Sequence, residues 1–388
     1  MFYFNNAATT WPKPECVADA MRDFLAYGGA NSSRGTSSKR DMNTMNLILD
    51  CRMKLCNFFG GYDPLNLTFT ANITESLNIV LRGFLKSGMK VLTSSMEHNA
   101  VMRPLRALES GGVKVEILRA DSEGMLNPDD LKNLLKREKF DLMVFSHASN
   151  VCGTVQPLKE VAKICRKNNL PLVLDTAQTA GLIEINASEL GIAALCFTGH
   201  KSLMGPQGTG GIIWNPEFVK KVTPIITGGT GSYSHLEIQP EDMPDKFESG
   251  TPNLPGIAGL NAALDWIQDK SVKKIFEKEN ELGKYFLERL KNFDEIILTG
   301  KKEMKDRVSV FSFNVKNFDN GILADELSLK GFETRPGLHC APAAHKTLGT
   351  FPQGALRVSP GYFNNVEEID KFMKELSLIF SQKIHRVR

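Results

Sequence analysis

The pattern of apolar and polar residues divides the chain into short strands and helices that alternate as far as about residue 215. Short apolar runs predict buried strands, and the stretches between them have the apolar spacing of helices. This alternation is typical of a mostly parallel sheet covered by helices on both faces. The predicted strands are 66–71, 89–95, 113–118, 141–146, 171–175, 194–201 and 210–215, and the predicted helices are 15–26, 74–86, 99–109, 128–137 and 156–168.

The pattern changes after about residue 256, where two long helical stretches follow one another. Strands and helices are then mixed without the earlier alternation, which is typical of an α+β unit. We therefore predict a large domain over residues 15–255 and a smaller α+β domain over residues 256–388. The elements predicted in the smaller domain are helices near 255–268, 271–291, 320–330 and 365–380, with strands near 295–298 and 307–314.

Composition and charge exclude several classes of protein. The 388 residues are 42% apolar and 23% charged, with a net charge of +3, which indicates an ordinary soluble protein rather than a nucleic-acid binder. No apolar run is long enough to span a membrane, and the start of the sequence lacks the basic region of a signal peptide. The seven cysteines are scattered without a CxxC pair, so we expect free thiols in the cytoplasm and neither disulfides nor a metal site.

Two residues near the ends of predicted strands suggest chemistry. In a sheet of this type, ligands bind beyond the carboxyl ends of the strands. Asp175 ends the strand PLVLD, where it could face a cationic pyridinium ring or could simply cap a helix or form an ion pair. Lys201, in FTGHKSLMGPQGTGG, could form a Schiff base with an aldehyde, although most lysines are solvated surface residues.

Other strand ends carry polar groups that are individually weak indications. The segment TANITESLN joins a strand to a helix, so its free N–H groups and the Thr74 hydroxyl suit a phosphate. The alternative is that Asn72 or Thr74 simply caps the helix. His98 could stack on a cofactor ring or could be structural. Asn150 and Gln178 follow strands and could hydrogen-bond a phenolate oxygen.

Eight motifs, taken together, resemble those of a known family: FNNAATTWPKP, MEHNAV, SNVCGTV, VLDTAQTAG, FTGHK, FESGTPN, RPGLHCAP and ALRVSPGYFN. They occur in the order seen in the class V aminotransferase-like family of pyridoxal-phosphate (PLP) enzymes, and most closely resemble its cysteine desulfurases and selenocysteine lyases of the second group. The resemblance covers nearly the whole chain and implies the PLP-dependent transferase fold (fold type I), with a mostly parallel seven-stranded sheet in the large domain.

The resemblance implies a role for each matching residue. Lys201 would carry the cofactor as a Schiff base, Asp175 would contact the pyridine nitrogen, and His98 would stack on the ring. Gln178 would bind the cofactor hydroxyl, and Asn150 would face the ring or the substrate carboxylate. The implied phosphate ligands are Thr74, Thr198, His200 and the backbone of Ile73. The segments ITGGTGS and GTPN would form a homodimer interface, across which Thr251 would reach the phosphate of the neighbouring subunit.

The resemblance also implies a substrate site and an N-terminal segment, residues 1–14, that packs near the small domain. Arg357 matches the arginine that binds the substrate α-carboxylate; without the resemblance it could be a surface arginine paired with Glu367 or Glu368. Arg335 matches a second active-site arginine.

Cys340 determines which activity the resemblance implies. It lies in RPGLHCAP, which aligns with the loop that carries the sulfur-accepting cysteine, and we expect nearby Arg335 and His339 to favour its thiolate. The alternative is a small buried residue like the other cysteines. The sequence departs from the family pattern at Asn5, Ile73, Pro336, Leu338 and Pro342. These departures leave open whether sulfur or selenium is preferred and which acceptor is used.

The predicted function is PLP-dependent desulfuration of L-cysteine to L-alanine, with persulfide sulfur on Cys340. The predicted protein is a homodimer that passes sulfur to an acceptor protein and binds neither nucleic acid nor membrane. The alternatives are a selenocysteine lyase acting on L-selenocysteine, a class V aminotransferase or other β-lyase, and a non-enzymatic PLP-holding regulator.

Overall fold

The computed structural model describes residues 1–31 and 38–386. A seven-stranded sheet forms the centre of the larger part, in the order β2-β8-β7-β6-β5-β3-β4. β8 runs antiparallel to both neighbours, and the other pairs are parallel, which confirms the predicted mostly parallel sheet. The strands are β2 (Leu67–Thr70), β3 (Lys90–Ser94), β4 (Lys114–Leu118), β5 (Leu142–Ser146), β6 (Leu172–Asp175), β7 (Ala194–Thr198) and β8 (Gly210–Trp214).

Helices flank this sheet and bury apolar side chains in two clusters. The predicted helix 15–26 ends as an α-helix at Asp23 and continues as a π-helix over Phe24–Gly28. The other predicted helices of this part lie within two or three residues of their expected bounds. The helices are α1 (Glu15–Asp23), α2 (Lys39–Phe58), α3 (Ile73–Phe84), α4 (Asn99–Glu109), α5 (Pro128–Arg137), α6 (Leu158–Lys167), α7 (Ala187–Leu190), α8 (Pro216–Val219) and α9 (Leu254–Lys270).

The C-terminal part is built on a four-stranded antiparallel sheet in the order β12-β13-β10-β9. A third apolar cluster packs against it. The elements of this part are α10 (Val272–Leu290), β9 (Ile296–Thr299), β10 (Phe311–Val315), α11 (Asn320–Leu329), β11 (Phe332–Glu333), β12 (Arg335–Gly337), α12 (Pro342–Thr347), β13 (Ala355–Val358) and α13 (Val366–Arg386).

The boundary at 255/256 stays a prediction. α9 spans it and contributes Ile257 and Leu260 to a cluster that packs under the large sheet. The apolar cluster of the C-terminal part begins within α10, at Leu282. The chain thus passes from one core to the other through two consecutive helices.

The predicted strand 307–314 begins later than expected, at Phe311. The buried Arg307 explains the difference, because its guanidinium donates to the carbonyl of Val310 and lies over the ring of Phe311. Its backbone forms a bridge with Thr154 in the loop after β5. Residues 307–310 therefore pair with that loop and not with the small sheet.

The first residues of the chain belong structurally to the C-terminal part. β1 (Phe2–Tyr3) pairs in parallel with β11. Phe4 is fully buried and packs against Phe332 and Phe372 in the third apolar cluster. This packing fixes the N-terminal segment beside the edge of the large sheet where the strands end.

Candidate active site

The carboxyl ends of four neighbouring strands meet at one edge of the large sheet. In the order β7-β6-β5-β3, these strands end at Thr198, Asp175, Ser146 and Ser94. The loops that follow them carry the predicted residues Lys201, Gln178, Asn150 and His98. Residues far apart in the sequence are thereby brought to one place, where ligands bind in sheets of this type.

The Lys201 amino group lies deep in the protein and has no hydrogen bond or ion pair within residues 1–31 and 38–386. Burial lowers the pKa of Lys201 to about 8, and the charge of Asp175 opposes this shift. The side chain nevertheless keeps some accessible surface, so it borders open space. With a pKa of about 8, roughly a tenth of the amine is unprotonated at pH 7, far more than for an ordinary lysine, and this fraction can act as a nucleophile or a base.

The loop that carries Lys201 is held by the N-terminal segment. The carbonyl oxygen of His200 accepts hydrogen bonds from Thr9 Oγ1 at 3.0 Å, Thr10 N at 3.1 Å and Lys13 Nζ at 2.6 Å. A carbonyl that accepts from several donors is restrained in position. The segment therefore fixes the backbone directly before Lys201.

Asp175 is buried at the end of β6. Its Oδ1 accepts a hydrogen bond from Ala177 N at 2.8 Å, and its Oδ2 lies 3.4 Å from Ser146 Oγ. Burial raises the pKa of Asp175, while the Ala177 N–H and the Lys201 charge oppose the shift. A buried carboxylate of this kind is stabilised by a cation placed next to it.

Glu97, which the sequence interpretation missed, lies beside Asp175 and is fully buried. It accepts from Ser146 N at 3.0 Å and Ser146 Oγ at 2.8 Å, and it is hydrogen-bonded to Ser94. Burial, together with the charge of Asp175, raises the pKa of Glu97 to about 7. The available signal was its position in MEHNAV, directly before His98.

His98 caps α4, because its Nδ1 accepts from Ala100 N at 3.0 Å. The neutral ring therefore carries its proton on Nε2. Burial, together with the charges of Lys201 and Arg335, lowers the pKa of His98 to about 4. At neutral pH, His98 is an uncharged imidazole that can donate from Nε2.

The predicted phosphate ligands lie in three segments of the chain: the start of α3, the end of β7 with the residues after it, and the segment before α9. At the start of α3, Asn72 and not Thr74 caps the helix, since its side chain accepts from Glu75 N. The Thr74 side chain is exposed and forms no hydrogen bond within the described ranges, and Ile73 is buried. Thr251 is exposed and lines a separate cavity of about 210 Å³ that extends to the end of β2.

The remaining two predicted phosphate ligands follow β7. Thr198 is buried, and its hydroxyl lies at a long 3.5 Å from the carbonyl of Thr209. His200 Nδ1 is buried and lacks a hydrogen-bond partner in the part of the chain that the structure describes. Burial lowers the pKa of His200 to about 4. Both residues thus retain hydrogen-bonding capacity toward a ligand.

These residues fit PLP. Asp175 offers a buried carboxylate for the pyridine nitrogen, Lys201 offers a deep amine without a partner, and His200 offers an unsatisfied ring nitrogen. Gln178 is held by a hydrogen bond from its Nε2 to the carbonyl of Ala7 at 3.0 Å, which leaves its Oε1 free to accept. The first turn of α3 adds free backbone N–H groups, which favour a phosphate.

Arg335 and Arg357 lie directly opposite each other on β12 and β13. Arg357 is 2% exposed, which excludes the surface arginine paired with Glu367 or Glu368. It donates to Asn5 Oδ1 at 3.0 Å and to the Asn150 carbonyl at 3.1 Å, but its Nε has no partner among the residues described. Burial, together with the charge of Arg335, lowers the pKa of Arg357 to about 9.

Like charges opposite each other destabilise a pair of strands. At Asn5, where the family often has aspartate, the partner of Arg357 is neutral, so neither arginine is neutralised. An anion bound between Arg335 and Arg357 would remove the repulsion. A carboxylate matches the planar guanidinium geometrically.

Cys340 lies next to this pair of arginines and is the one exposed cysteine of the seven. Arg335 Nη2 lies 3.8 Å from its sulfur. His339 and Cys340 both have positive φ, 50° and 56°, a conformation that is unfavourable for residues other than glycine. The surrounding contacts hold the loop there: Asn99 N donates to the Cys340 carbonyl at 2.8 Å, and Asn150 Nδ2 donates to the His339 carbonyl at 2.7 Å.

The expectation that His339 supports the thiolate is wrong. His339 is buried, and burial together with the charge of Arg357 lowers its pKa to about 3. Its ring contacts the Arg335 carbonyl at 2.9 Å and His345 at 3.2 Å. His339 is therefore neutral, and the positive charge beside Cys340 comes from Arg335.

The departures from the family pattern are accommodated locally. Pro342 occupies the first turn of α12, where a missing N–H costs nothing. Pro336 is exposed on β12, and Leu338 is partly buried in the following turn.

Comparison with known proteins agrees with this fold. The family model described as aminotransferase class-V matches residues 2–372. A probable cysteine desulfurase from Pyrococcus abyssi is 32% identical over 96% of this chain and 92% of its own length. A cysteine desulfurase from Haloferax volcanii is 29% identical over 96% of this chain and 88% of its own length.

A solved structure supports the same assignment. The apo structure of a cysteine desulfurase from Thermococcus onnurineus superimposes with a TM-score of 0.90 at 30% identity, covering 97% of this chain and 94% of that chain. The fold is thus that of the class-V aminotransferases. This chain belongs to that family, which confirms the resemblance identified from the motifs.

Within residues 1–31 and 38–386, no helix combines the length and the apolar character needed to cross a bilayer.

Proposed function

We propose that this protein is a PLP-dependent cysteine desulfurase that converts L-cysteine to L-alanine and places the sulfur on Cys340. The observation that carries the proposal is the position of its one exposed thiol, with Arg335 Nη2 at 3.8 Å and the Arg335–Arg357 pair beside it. An amino acid whose carboxylate binds that pair would have its side chain near the thiol. The relatives named as cysteine desulfurases support the same reading.

PLP, when bound, would supply an electron sink for the substrate α-carbon. Lys201 would hold it covalently, Asp175 would contact its ring nitrogen, and His98 would lie against its ring. The phosphate would be bound by Ile73 N, Thr74, Thr198 and His200. In a homodimer, Thr251 of one subunit would complete the phosphate site of the other.

The protein's own groups account for the remaining steps. Arg357 and Arg335 orient the substrate carboxylate, and Asn150 fixes both the Arg357 guanidinium and the cysteine loop through its hydrogen bonds. The Lys201 amine, with a pKa of about 8, removes the α-proton. His98 holds a proton at Nε2 and can exchange it with the substrate thiol.

Sulfur transfer balances without an added oxidant. The Cys340 thiolate attacks the substrate sulfur, the carbon–sulfur bond of the substrate breaks, and a sulfur–sulfur bond forms on Cys340. The electron pair of the broken bond passes to the substrate carbon, which takes up a proton and leaves as the methyl group of alanine. The proton lost from the substrate thiol supplies that methyl hydrogen, so no keto acid is consumed.

Product analysis tests this proposal. Purified protein loaded with PLP is incubated with L-cysteine and a reducing thiol, and alanine and sulfide are quantified. We expect equal amounts of both without any keto acid. Alanine formation that requires a keto acid would establish an aminotransferase, and turnover restricted to selenocysteine would establish a selenocysteine lyase.

The cellular setting forms part of the proposal. We propose a homodimer in the cytoplasm that delivers sulfur to an acceptor protein. All seven cysteines are unpaired, which suits a reducing compartment. The exposure of Cys340 would let an acceptor reach the sulfur without unfolding the loop.

A further inference from the structure

A groove of about 940 Å³ lies between α4, β4 and α12, and the proposed desulfuration does not use it. We call it the α4–β4 groove. Its apolar surface includes Met102 and Val115, together with Ile117, Pro342 and Ala343. An apolar floor of this kind within a polar rim is the usual anatomy of a protein-binding surface.

The α4–β4 groove adjoins the cysteine loop. Asn99 lines the groove, and its backbone N–H donates to the Cys340 carbonyl at 2.8 Å. Pro342, which also lines it, follows Cys340 by two residues, so their Cα atoms lie at most about 7 Å apart. Thr347 Oγ1 donates to the carbonyl of Ser95 at 3.1 Å and holds α12 against the large sheet. A chain bound in the groove would therefore pass close to a persulfide on Cys340.

The charge of the groove is strongly one-sided. Four exposed cationic side chains line it, whereas Glu116 is the one acidic residue among the described lining residues. Arg106 is paired with Glu109 at 2.6 Å, which leaves the other cations in excess. This distribution selects an acidic partner. The cations are Arg103, Arg106, Arg119 and Lys346.

The groove also contains the edge of the large sheet. β4 is the last strand in the sheet order and pairs with β3 on one side. Val115, Glu116 and Ile117, three successive residues of β4, line the groove. An edge strand offers backbone N–H and carbonyl groups to an extended chain. β2, whose end borders the cavity of Thr251, forms the opposite edge, so the proposed dimer contacts would leave β4 free.

We propose that the α4–β4 groove binds an acidic, extended segment of the sulfur-acceptor protein and presents its cysteine to the Cys340 persulfide. This inference rests on the proposed desulfurase function. In the transfer, the acceptor thiolate attacks the outer sulfur, a new sulfur–sulfur bond forms, and the bond to Cys340 breaks. Cys340 leaves as a thiolate, so no oxidant or reductant is needed.

The apolar floor and the composition of the groove favour a protein over a nucleic acid. Single-stranded nucleic acids are bound by basic grooves that carry aromatic side chains for base stacking. No tryptophan, tyrosine or phenylalanine is among the described residues that line this groove. Three of the four cations are arginines, the basic residue enriched at protein interfaces.

Persulfide transfer to synthetic peptides tests the inference. Three peptides of equal length, each with one cysteine flanked by acidic, neutral or basic residues, compete as acceptors for PLP-loaded enzyme supplied with cysteine. Dithiothreitol, a small thiol that does not need the groove, measures desulfuration itself. We expect the acidic peptide to accept sulfur roughly tenfold faster than the neutral one at low salt, because complementary charge accelerates association by 10-fold or more.

The variant Arg106→Glu/Arg119→Glu reverses two charges of the groove. Arg103 is left intact because its charge reaches His98. We expect the double variant to lose the preference for the acidic peptide and Glu116→Lys to increase it, while alanine formation with dithiothreitol is unchanged in both. Lys273→Glu, an exposed charge reversal on α10, serves as the control and leaves the preference intact.

The outcomes separate this inference from the proposed function. No alanine from wild-type enzyme with dithiothreitol would overturn the desulfurase proposal itself. Normal alanine formation with equal transfer to all three peptides, or a preference that survives in the double variant, would overturn the groove assignment. Tighter binding of a single-stranded DNA oligonucleotide than of the acidic peptide, lost in the double variant, would overturn the choice of a protein partner.

Discussion

The two sides of the candidate site hold their functional groups in opposite ways. On the large sheet, Lys201, Asp175 and Glu97 are buried, and their surroundings move each pKa toward the neutral form of the group. On the small sheet, Arg335 and Arg357 lie opposite each other, and Cys340 is exposed on a loop with positive φ. The large-sheet side suits a resident cofactor, and the small-sheet side suits a substrate and an acceptor that bind and dissociate in each cycle.

This difference teaches how one site can combine a resident cofactor with transient reactants. On the large-sheet side, buried groups and a fixed backbone hold a ligand in one orientation without an energetic cost in each cycle. Unneutralised arginines and an exposed thiol are satisfied only when a substrate anion or an acceptor is present. The predictions below test each side separately, beginning with the largest expected effect.

Replacing Lys201 tests the large-sheet side. We expect Lys201→Ala to reduce alanine formation by on the order of 10³-fold or more, since a general base contributes about 10²–10⁴-fold. Borohydride reduction followed by peptide mapping should find PLP attached at residue 201 in the wild type and no attachment in the variant. Lys13 is the internal comparison in the wild-type map: burial also lowers its pKa to about 8, but its Nζ donates to the His200 carbonyl, so we expect no PLP on it. PLP attached to Lys13 would contradict the assignment.

Replacing Arg357 tests the small-sheet side. We expect Arg357→Ala to weaken cysteine binding by about 2–5 kcal/mol, a rise in KM of roughly 30-fold or more, because a buried charge-assisted pair is lost. The affinity for PLP, measured by its absorbance on titration, should change much less. Arg357→Lys keeps the charge and should recover part of the affinity. Equal losses for cysteine and PLP would place Arg357 in a purely structural role.

Replacing Glu97 has the smallest expected effect and concerns pH. Folding raises the pKa of Glu97 from 4.5 to about 7, so its contribution to stability is fully present below pH 4.5 and is lost as pH rises through about 7. The thermal midpoint of Glu97→Gln should therefore rise relative to the wild type between pH 5 and pH 8, by an amount equivalent to roughly 1–3 kcal/mol.

A second buried carboxyl group provides the control for Glu97. Burial raises the pKa of Glu279, on α10, to about 8. Glu279→Gln should change stability with pH in the same direction, over a window that extends to about pH 8. Its bound PLP should keep the pH dependence of the wild-type absorbance, whereas Glu97→Gln, next to Asp175, should alter it. Parallel melting curves for wild type and Glu97→Gln at all pH values would show that Glu97 does not titrate.

The two sides also differ in how far the sequence could predict them. The large sheet and its strand-end residues followed from local patterns, because parallel strands place their carboxyl ends at one edge whatever the details of packing. Asp175 and Lys201 could therefore be placed together from the sequence. Glu97 was missed because its position directly before His98 does not by itself show that the carboxyl group is buried.

The small-sheet side depends on contacts between distant residues. The opposition of Arg335 and Arg357 requires the register of β12 with β13, which local periodicity does not determine. The neutral state of His339 depends on burial and on the charge of Arg357, so proximity in sequence to Cys340 was misleading. The late start of β10 likewise follows from the buried contacts of Arg307.

The position of sulfur on the enzyme tests the central claim most directly. Wild-type protein loaded with PLP is treated with L-cysteine, alkylated and mapped by mass spectrometry, with Cys340→Ala as the matched variant. We predict one additional sulfur atom on Cys340 and on no other cysteine. We also predict that Cys340→Ala keeps its bound PLP but forms no alanine from cysteine. Sulfur on another cysteine, or desulfuration of cysteine at the normal rate by Cys340→Ala, would contradict the account.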